Sequence, residues 1–346
     1  MSAKKKTYSR SYKSKKQKRQ RKRRSLVLLL FLTIIMLGTS TYAWFTANRV
    51  VTINDINVNV QASDGIQIST DAVTWKSVIT NADINSGYTG ANNQLPSTMI
   101  AVSTAGVVDT VANSETKGKM QMFKATIDNG ADDYVITTQA DPETGIDYVA
   151  FDIFLRVSKN QTIYLTPDAK VINKADETDK GLKNAARVGF VNKGHAAANE
   201  TTANLMSLNS PAGQAIIWEP NSDTHSDVVN PGVASDYGVT LGNPSTKYYG
   251  VKDALSTAAD LKTFVRAGTA GGSSAYTTDM STLGSNLVTT VNGTTAYTQI
   301  FTLSEGITKF RVYMWIEGQD IDCENNATGS NIIFKLQLST DNGTNS

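Results

Sequence analysis

The stretch Lys309-Phe-Arg-Val-Tyr-Met-Trp-Ile-Glu317, followed by Asn331-Ile-Ile-Phe-Lys-Leu-Gln-Leu-Ser339, decides the fold class. Phe310, Val312, Met314 and Ile316 fall at alternate positions, and so do Ile332, Phe334, Leu336 and Leu338. Successive side chains of an extended chain point to opposite sides, so each set lies on one face of a β-strand. Both sets are expected to face the same core. Residues 297–303, Tyr-Thr-Gln-Ile-Phe-Thr-Leu, make a third such strand, and short Gly- or Asn-containing turns separate the three.

The same period extends upstream. Ile56, Val58 and Val60 alternate with Asn57, Asn59 and Gln61, and after the turn dipeptide Asp64-Gly65 the pattern resumes at Ile66 and Ile68. Residues 120–127 read as another strand. Residues 148–157 and 162–165, separated by Lys159-Asn160, read as a hairpin, and Ala186, Val188 and Phe190 share one face of the next strand. Helical spacing is scarce: Val251, Leu255, Ala258 and Val265 mark the one expected helix, over residues 251–266. The polar stretches 80–116 and 221–297 exceed the roughly 12–15 residues of an ordinary compact loop. The second reads as an insertion that holds the helix. The expected fold is all-β, a jelly-roll-like β-sandwich with long loop insertions and one short helical insertion.

The first 43 residues have a different composition. Residues 1–24 hold thirteen Lys and Arg, and no acidic residue occurs before Asp55. An unbroken apolar run, Leu26 to Leu37, follows, and then small residues lead to Trp44-Phe45. Basic, apolar and small-residue segments in that order make a secretory signal peptide. A dozen apolar residues fall short of the ~20 that span a bilayer. Counting on to Phe45 gives a marginal span, so an uncleaved anchor stays open beside cleavage between Ala43 and Trp44. Either way the cations hold the N-terminus on the cytoplasmic side, and residues 44–346 form an extracellular domain. Membrane contact is expected only through the N-terminal segment.

Export also changes the electrostatic reading. The whole chain has 33 basic and 31 acidic residues; without the thirteen at the N-terminus, 20 stand against 31, about −11 from Trp44 onward. The basic pI of about 8.4 therefore belongs to the export segment, and no nucleic-acid partner is expected. The single cysteine, Cys323, cannot form an internal disulfide, and it reads as a small buried hydrophobe.

Catalytic signatures are missing. The two histidines, His195 and His225, do not form a zinc-protease pair, and there is neither a Gly-x-Ser-x-Gly elbow nor a phosphate-binding Gly-rich loop. His195 reads as an exposed loop residue and Asp132-Asp133 as a solvated turn. Asp320, Asp322 and Glu324 alternate as calcium ligands do, but the EF-hand spacing fails. Two readings stay open there, a turn rim and a calcium site. No other cofactor is expected.

The junction Gly38-Thr39 followed by Tyr42-Ala43-Trp44-Phe45-Thr46 resembles the signal region of Firmicutes proteins processed by the SipW type of signal peptidase, the group of TasA, camelysin (CalY) and BsaA-like matrix proteins. Residues 312–323, Val-Tyr-Met-Trp-Ile-Glu-Gly-Gln-Asp-Ile-Asp-Cys, are similar to the end of related gut-bacterial proteins. The resemblance implies a SipW-type peptidase as partner and a jelly-roll subunit that assembles into surface or biofilm-matrix fibres, with an N-terminal strand completing a neighbour's sheet. The long basic region and the insertion at 221–297 depart from the simplest members.

The residues give their own reason to consider assembly. Cleavage would leave Trp44, Phe45, Val50, Val51, Ile53, Ile56, Val58 and Val60 on an extended, β-prone N-terminus, and such a strand can add to a sheet edge. Its alternative seat is inside its own sheet. The leading expectation is thus an exported, non-catalytic fibre subunit. A monomeric adhesin binding a cell-envelope or glycan partner through loops around Tyr88, Tyr248 and Tyr249 is the alternative, and a secreted enzyme without a recognisable motif is the third.

Overall fold

The computed structural model describes residues 51–61, 65–104, 106–127, 134–139, 147–177, 179, 182–221, 262–264, 285–291, 293–318, 323 and 331–344. Strand is the commonest element among them, as the period-two pattern requires. The first sheet, sheet A, contains β1 (Val51–Gln61), β3 (Val78–Ile79), β8 (Gln161–Leu165), β14 (Thr298–Leu303) and β16 (Asn331–Ser339) in the order β14-β8-β16-β1-β3. Two short strands join it: β4 (Thr98–Met99) on β1 and β9 (Lys170–Asn173) on β16. Sheet B contains β2 (Gln67–Ser69), β7 (Val149–Val157), β10 (Ala186–Ala196), β11 (Ile216–Glu219), β13 (Leu287–Thr289) and β15 (Gly306–Ile316) in the order β13-β11-β10-β15-β7-β2. A third sheet has the order β12-β6-β5, from β5 (Met122–Ile127), β6 (Tyr134–Gln139) and β12 (Lys262–Phe264).

Sheets A and B share one apolar core. Ile56, Val58, Val60, Phe334, Leu336 and Leu338 from sheet A meet Phe151, Ile153, Val188, Phe190, Phe310 and Val312 from sheet B. Phe301 stacks on Phe310 with ring centroids 4.7 Å apart. Cys323 is buried in this core. The two alternating sets at the C-terminal end therefore do face one interior, from opposite sheets.

The three regular C-terminal strands do not lie side by side. β14 and β16 belong to sheet A and β15 between them to sheet B, so the chain changes layer at each turn. The expected hairpin over residues 148–165 is likewise absent. β7 pairs with β15 and β2, while β8 pairs with β14 and β16. The reason lies in how deeply β7 is placed, with eight of its nine residues buried. A strand apolar on both faces belongs inside a covered sheet, and a half-buried hairpin would expose one side of it. Ser158-Lys159-Asn160 carries the chain across, and the Asn160 side chain accepts a hydrogen bond from the Glu305 amide at 2.9 Å.

Sheet B is covered on its outer face as well. All eleven residues of β15 are buried, including Lys309, Arg311, Tyr313 and Trp315 on the face away from sheet A. The polar stretch 80–116, longer than an ordinary compact loop, supplies much of this cover. Val102 and Val108, with Met120 just beyond, pack against Tyr148, Ala150, Tyr313 and Trp315 as a second apolar cluster. The short helix Asn81–Ser86 lies in the same stretch, opened by a capping box between Thr80 and Asp83. A second helix, Thr202–Ser207, and a 3-10 turn, Leu182–Ala185, are also present. The expected helix over 251–266 falls largely outside the described residues, but Lys262–Phe264 within it are strand and pair antiparallel with Tyr134–Ile136 of β6. Main-chain pairing overrides a weak helical spacing there, since short apolar patterns do not separate helix from strand.

β15 begins where backbone geometry is most restrictive. Gly306 has φ +124, and a Cβ there would overlap the carbonyl oxygen of Ala196 on β10. Gly306→Ala is expected to lower the unfolding free energy by about 1–3 kcal/mol, read from urea denaturation curves. A variant as stable as the parent would mean that β10 and β15 do not close this tightly.

Candidate functional site

The outer face of sheet B changes character along its strands. Phe154 and Ile307 form an apolar cluster with Ala72 and Leu205 at one end, and Tyr148, Ala150, Tyr313 and Trp315 form another at the far end. Charged residues occupy the belt between. The register sets Asp152 of β7 opposite Arg311 of β15, with Lys309 one pleat away.

These three groups meet in one network. Arg311 Nη1 donates to Asp152 Oδ1 at 2.9 Å, and Lys309 Nζ lies 3.4 Å from Asp152 Oδ2. The Tyr88 hydroxyl donates to Asp152 Oδ2 at 2.5 Å. Arg311 Nη2 also donates to the Asn92 carbonyl, and Lys309 Nζ to the Met206 carbonyl, each at 2.6 Å. The Lys309 ammonium further sits over the Tyr88 ring, 5.2 Å from its centroid. Asn93 fixes the backbone, its Oδ1 accepting from the Asp152 amide at 3.0 Å.

Burial pushes the Asp152 carboxyl upward, but Arg311, Lys309 and the Tyr88 hydroxyl together outweigh it and hold the group below the usual carboxylate range. For Lys309, burial is the larger influence. It keeps the ammonium below its ordinary value despite the attraction of Asp152, and Arg311 adds repulsion.

Further lysines approach from neighbouring elements. The pairing of β10 with β15 shifts register between Asn192 and Gly194, which leaves Lys193 at a β-bulge. Bulges re-aim side chains, and here Lys193 Nζ reaches the Gly118 carbonyl at 3.0 Å. Gly118 permits this contact, because with φ +77 it has no Cβ to overlap the Lys193 ammonium. Lys117 and Lys119 flank that glycine. Together with Lys309 and Arg311 these side chains line an open cleft of about 450 Å³, whose other walls include Tyr88, Asn92, Ser207 and Asn209.

A second buried ion pair stands apart. Arg187 Nη2 donates to Glu219 Oε1 at 2.8 Å with both side chains fully buried, and Arg187 Nη1 also donates to the Asn184 and Ala186 carbonyls. Nearby, Trp315 Nε1 donates to Glu317 Oε2 at 3.2 Å. These contacts join β10, β11 and β15 to the turn before β10.

The residues singled out from sequence are placed as follows. Ala43, Trp44, Phe45 and Val50 lie outside the described residues, as do Asp320, Asp322, Glu324, Asp132, Asp133, His225, Tyr248 and Tyr249. Among the described residues no group of three or more His, Cys, Asp or Glu side chains is placed to hold a metal ion, and no helix is long and apolar enough to cross a membrane. Val51, Ile53, Ile56, Val58 and Val60 fall on β1, with Ile56, Val58 and Val60 in the main core. β1 takes the seat inside its own sheet, parallel to β16. His195 is exposed at the end of β10 rather than in a loop, and its Nε2 is 2.9 Å from the Glu305 carbonyl. Tyr88 alone of the three tyrosines is described, and its hydroxyl engages Asp152. Sequence reading missed Asp152, Lys309 and Arg311. Their signal is a charge at an internal position of an otherwise apolar strand. No protein-family model, curated protein or solved structure matches the chain.

Removing the Asp152 charge would leave two buried cations without their counter-ion. Asp152→Asn is expected to destabilise the fold by about 3–5 kcal/mol, measured by chemical denaturation at neutral pH. Because the folded carboxyl titrates below its unfolded value of about 3.9, this contribution is present above about pH 4 and is lost as pH falls through and below that value. The parent should therefore lose more stability than the Asn variant between about pH 5 and pH 2.

Proposed function

We propose that this chain is an exported, non-catalytic structural protein, a fibre subunit of the cell surface or extracellular matrix whose sandwich is of the jelly-roll type. Residues 1–43 direct a SipW-type export, and β1 is the strand exchanged between neighbouring subunits. The observation that carries this reading is the seat of β1. It forms nine parallel register pairs with β16, from Thr52↔Asn331 to Gln61↔Ser339, but only two pairs each with β3 and β4.

Among the strands of the two sheets β1 is first in the chain, so it can leave its slot without drawing another strand through the fold. The same slot then accepts β1 of a second copy, with the same Ile56, Val58 and Val60 filling the same core positions. Exchange of an identical element is a low-cost route to assembly, and a head-to-tail version that does not close yields filaments. The export segment supports the extracellular setting, since its cations and apolar run directly precede this strand.

Cross-linking tests the exchange. Asn59 and Gln337 are register partners on β1 and β16. In filaments of the chain starting at Trp44, the double substitution Asn59→Cys with Gln337→Cys should give a ladder of disulfide-linked oligomers on denaturing gels. Filaments that yield only internally linked monomers would overturn strand exchange, and a chain that never forms filaments would overturn the fibre reading.

A further inference from the structure

Strand exchange requires β1 to leave its sheet, and the two long edges of β1 are held very differently. Toward β16 it has nine register pairs. On the opposite edge Val51 and Thr52 pair with Met99 and Thr98 of β4, and Val58 and Asn59 pair with Ile79 and Val78 of β3. β3 follows β1 closely in the chain and sits at the end of β1 that runs on into the domain through Gln61. β4 covers the other end. A strand retained by the chain at Gln61 peels from Val51, so β4 closes the end that must open first.

β4 has only two residues and pairs with no strand but β1 among the described residues. Its position is therefore set by the segment that carries it, which crosses from sheet B to sheet A and back. Before β4, Gln94 and Ala150 of β7 exchange both main-chain hydrogen bonds, at 2.7 and 3.0 Å, and Gln94 Nε2 donates to the Tyr148 carbonyl at 2.7 Å. Tyr88, Asn92 and Asn93 add their bonds to Asp152 and Arg311 beside this pair. After β4, the Val102 amide donates to the Ile316 carbonyl at 3.0 Å, and the Val102 carbonyl accepts from the Gly318 amide at 2.8 Å. Residues 88–102 thus form a strap anchored at both ends on sheet B, with its middle against β1.

The first anchor carries a reason to let go. Gln94 is 8% exposed, and its Oε1 has no hydrogen-bond partner among the described residues. A buried acceptor without a donor costs free energy that water restores once the segment lifts. Only Leu95, Pro96 and Ser97 separate this anchor from β4, and the fixed φ of Pro96 stiffens the link. Displacement of Gln94 is therefore passed on to β4.

We propose that residues 88–102 are a latch on the exchange strand: while Gln94 is seated on Ala150, β4 holds the Val51 end of β1, and release of that anchor frees β1 to enter a second copy of this chain. The latch rests on the strand-exchange reading for its purpose, but its opening can be measured without filaments.

The test locks the anchor. Gln94→Cys with Ala150→Cys places a disulfide across a directly hydrogen-bonded antiparallel pair, whose Cα atoms lie about 5.5 Å apart, within disulfide reach. In the full chain, oxidation should slow amide hydrogen exchange over residues 51–61 at least about tenfold more than exchange in β10, and reduction should reverse it. Tyr88→Phe keeps the ring and removes only the hydroxyl bond to Asp152. It should speed exchange in β1 at least about threefold more than in β10, and it decides the same question should the cysteine pair fail to fold. In the chain starting at Trp44, filaments should grow more slowly from the oxidised form than from the reduced one. Equal changes in β1 and β10, exchange in β1 that ignores both substitutions, or equal filament growth in the two redox forms would each overturn the latch. Absence of filaments in every form would instead overturn the fibre reading, with hydrogen exchange still deciding the latch.

Discussion

Asp152 and Arg311 face each other at 2.9 Å on adjacent strands, in a part of sheet B where water has almost no access. An unpaired charge in such a place costs several kcal/mol, so the pairing is a condition for covering the sheet at all. The cover in turn lets every residue of β15 be buried and gives β7 neighbours on both faces. The hydroxyl of Tyr88, the Asn92 carbonyl, the Asn93 side-chain oxygen and the backbone of Gln94 add further bonds around the same point. The segment at 88–94 is thus tied to the sheet through the charges that it buries.

The two sheets place opposite demands on the chain. Sheet B concentrates charge between two apolar clusters and closes it under loops. Sheet A is held together by the two ends of the domain, β1 and β16, paired in parallel. Among the described strand pairs, that pairing has the greatest sequence separation, so it closes the longest loop.

Much of the fold was legible before any coordinates. The period-two sets at Ile56–Val60, Phe310–Ile316 and Ile332–Leu338 identified strands and the faces they bury, because alternation follows from backbone geometry and needs no knowledge of partners. Pairing was not legible: Ser158-Lys159-Asn160 reads the same whether it closes a hairpin or carries the chain to the opposite sheet. The charged belt was hidden for a related reason. Lys309 and Arg311 look like a solvated face until the long stretch at 80–116 is seen to fold over them.

The sequence by itself determined that the chain is β-rich, which side chains of its strands face the main core, and that a basic, apolar segment precedes an acidic body. These are local properties, set by side-chain alternation and composition. Tertiary structure alone decided that β1 lies parallel to β16, that β7 and β8 part into different sheets, and that Asp152 meets Lys309 and Arg311 beside Lys193. Each of those contacts joins residues far apart in the chain, and only the competition between burial, pairing and charge neutralisation across the whole fold selects them.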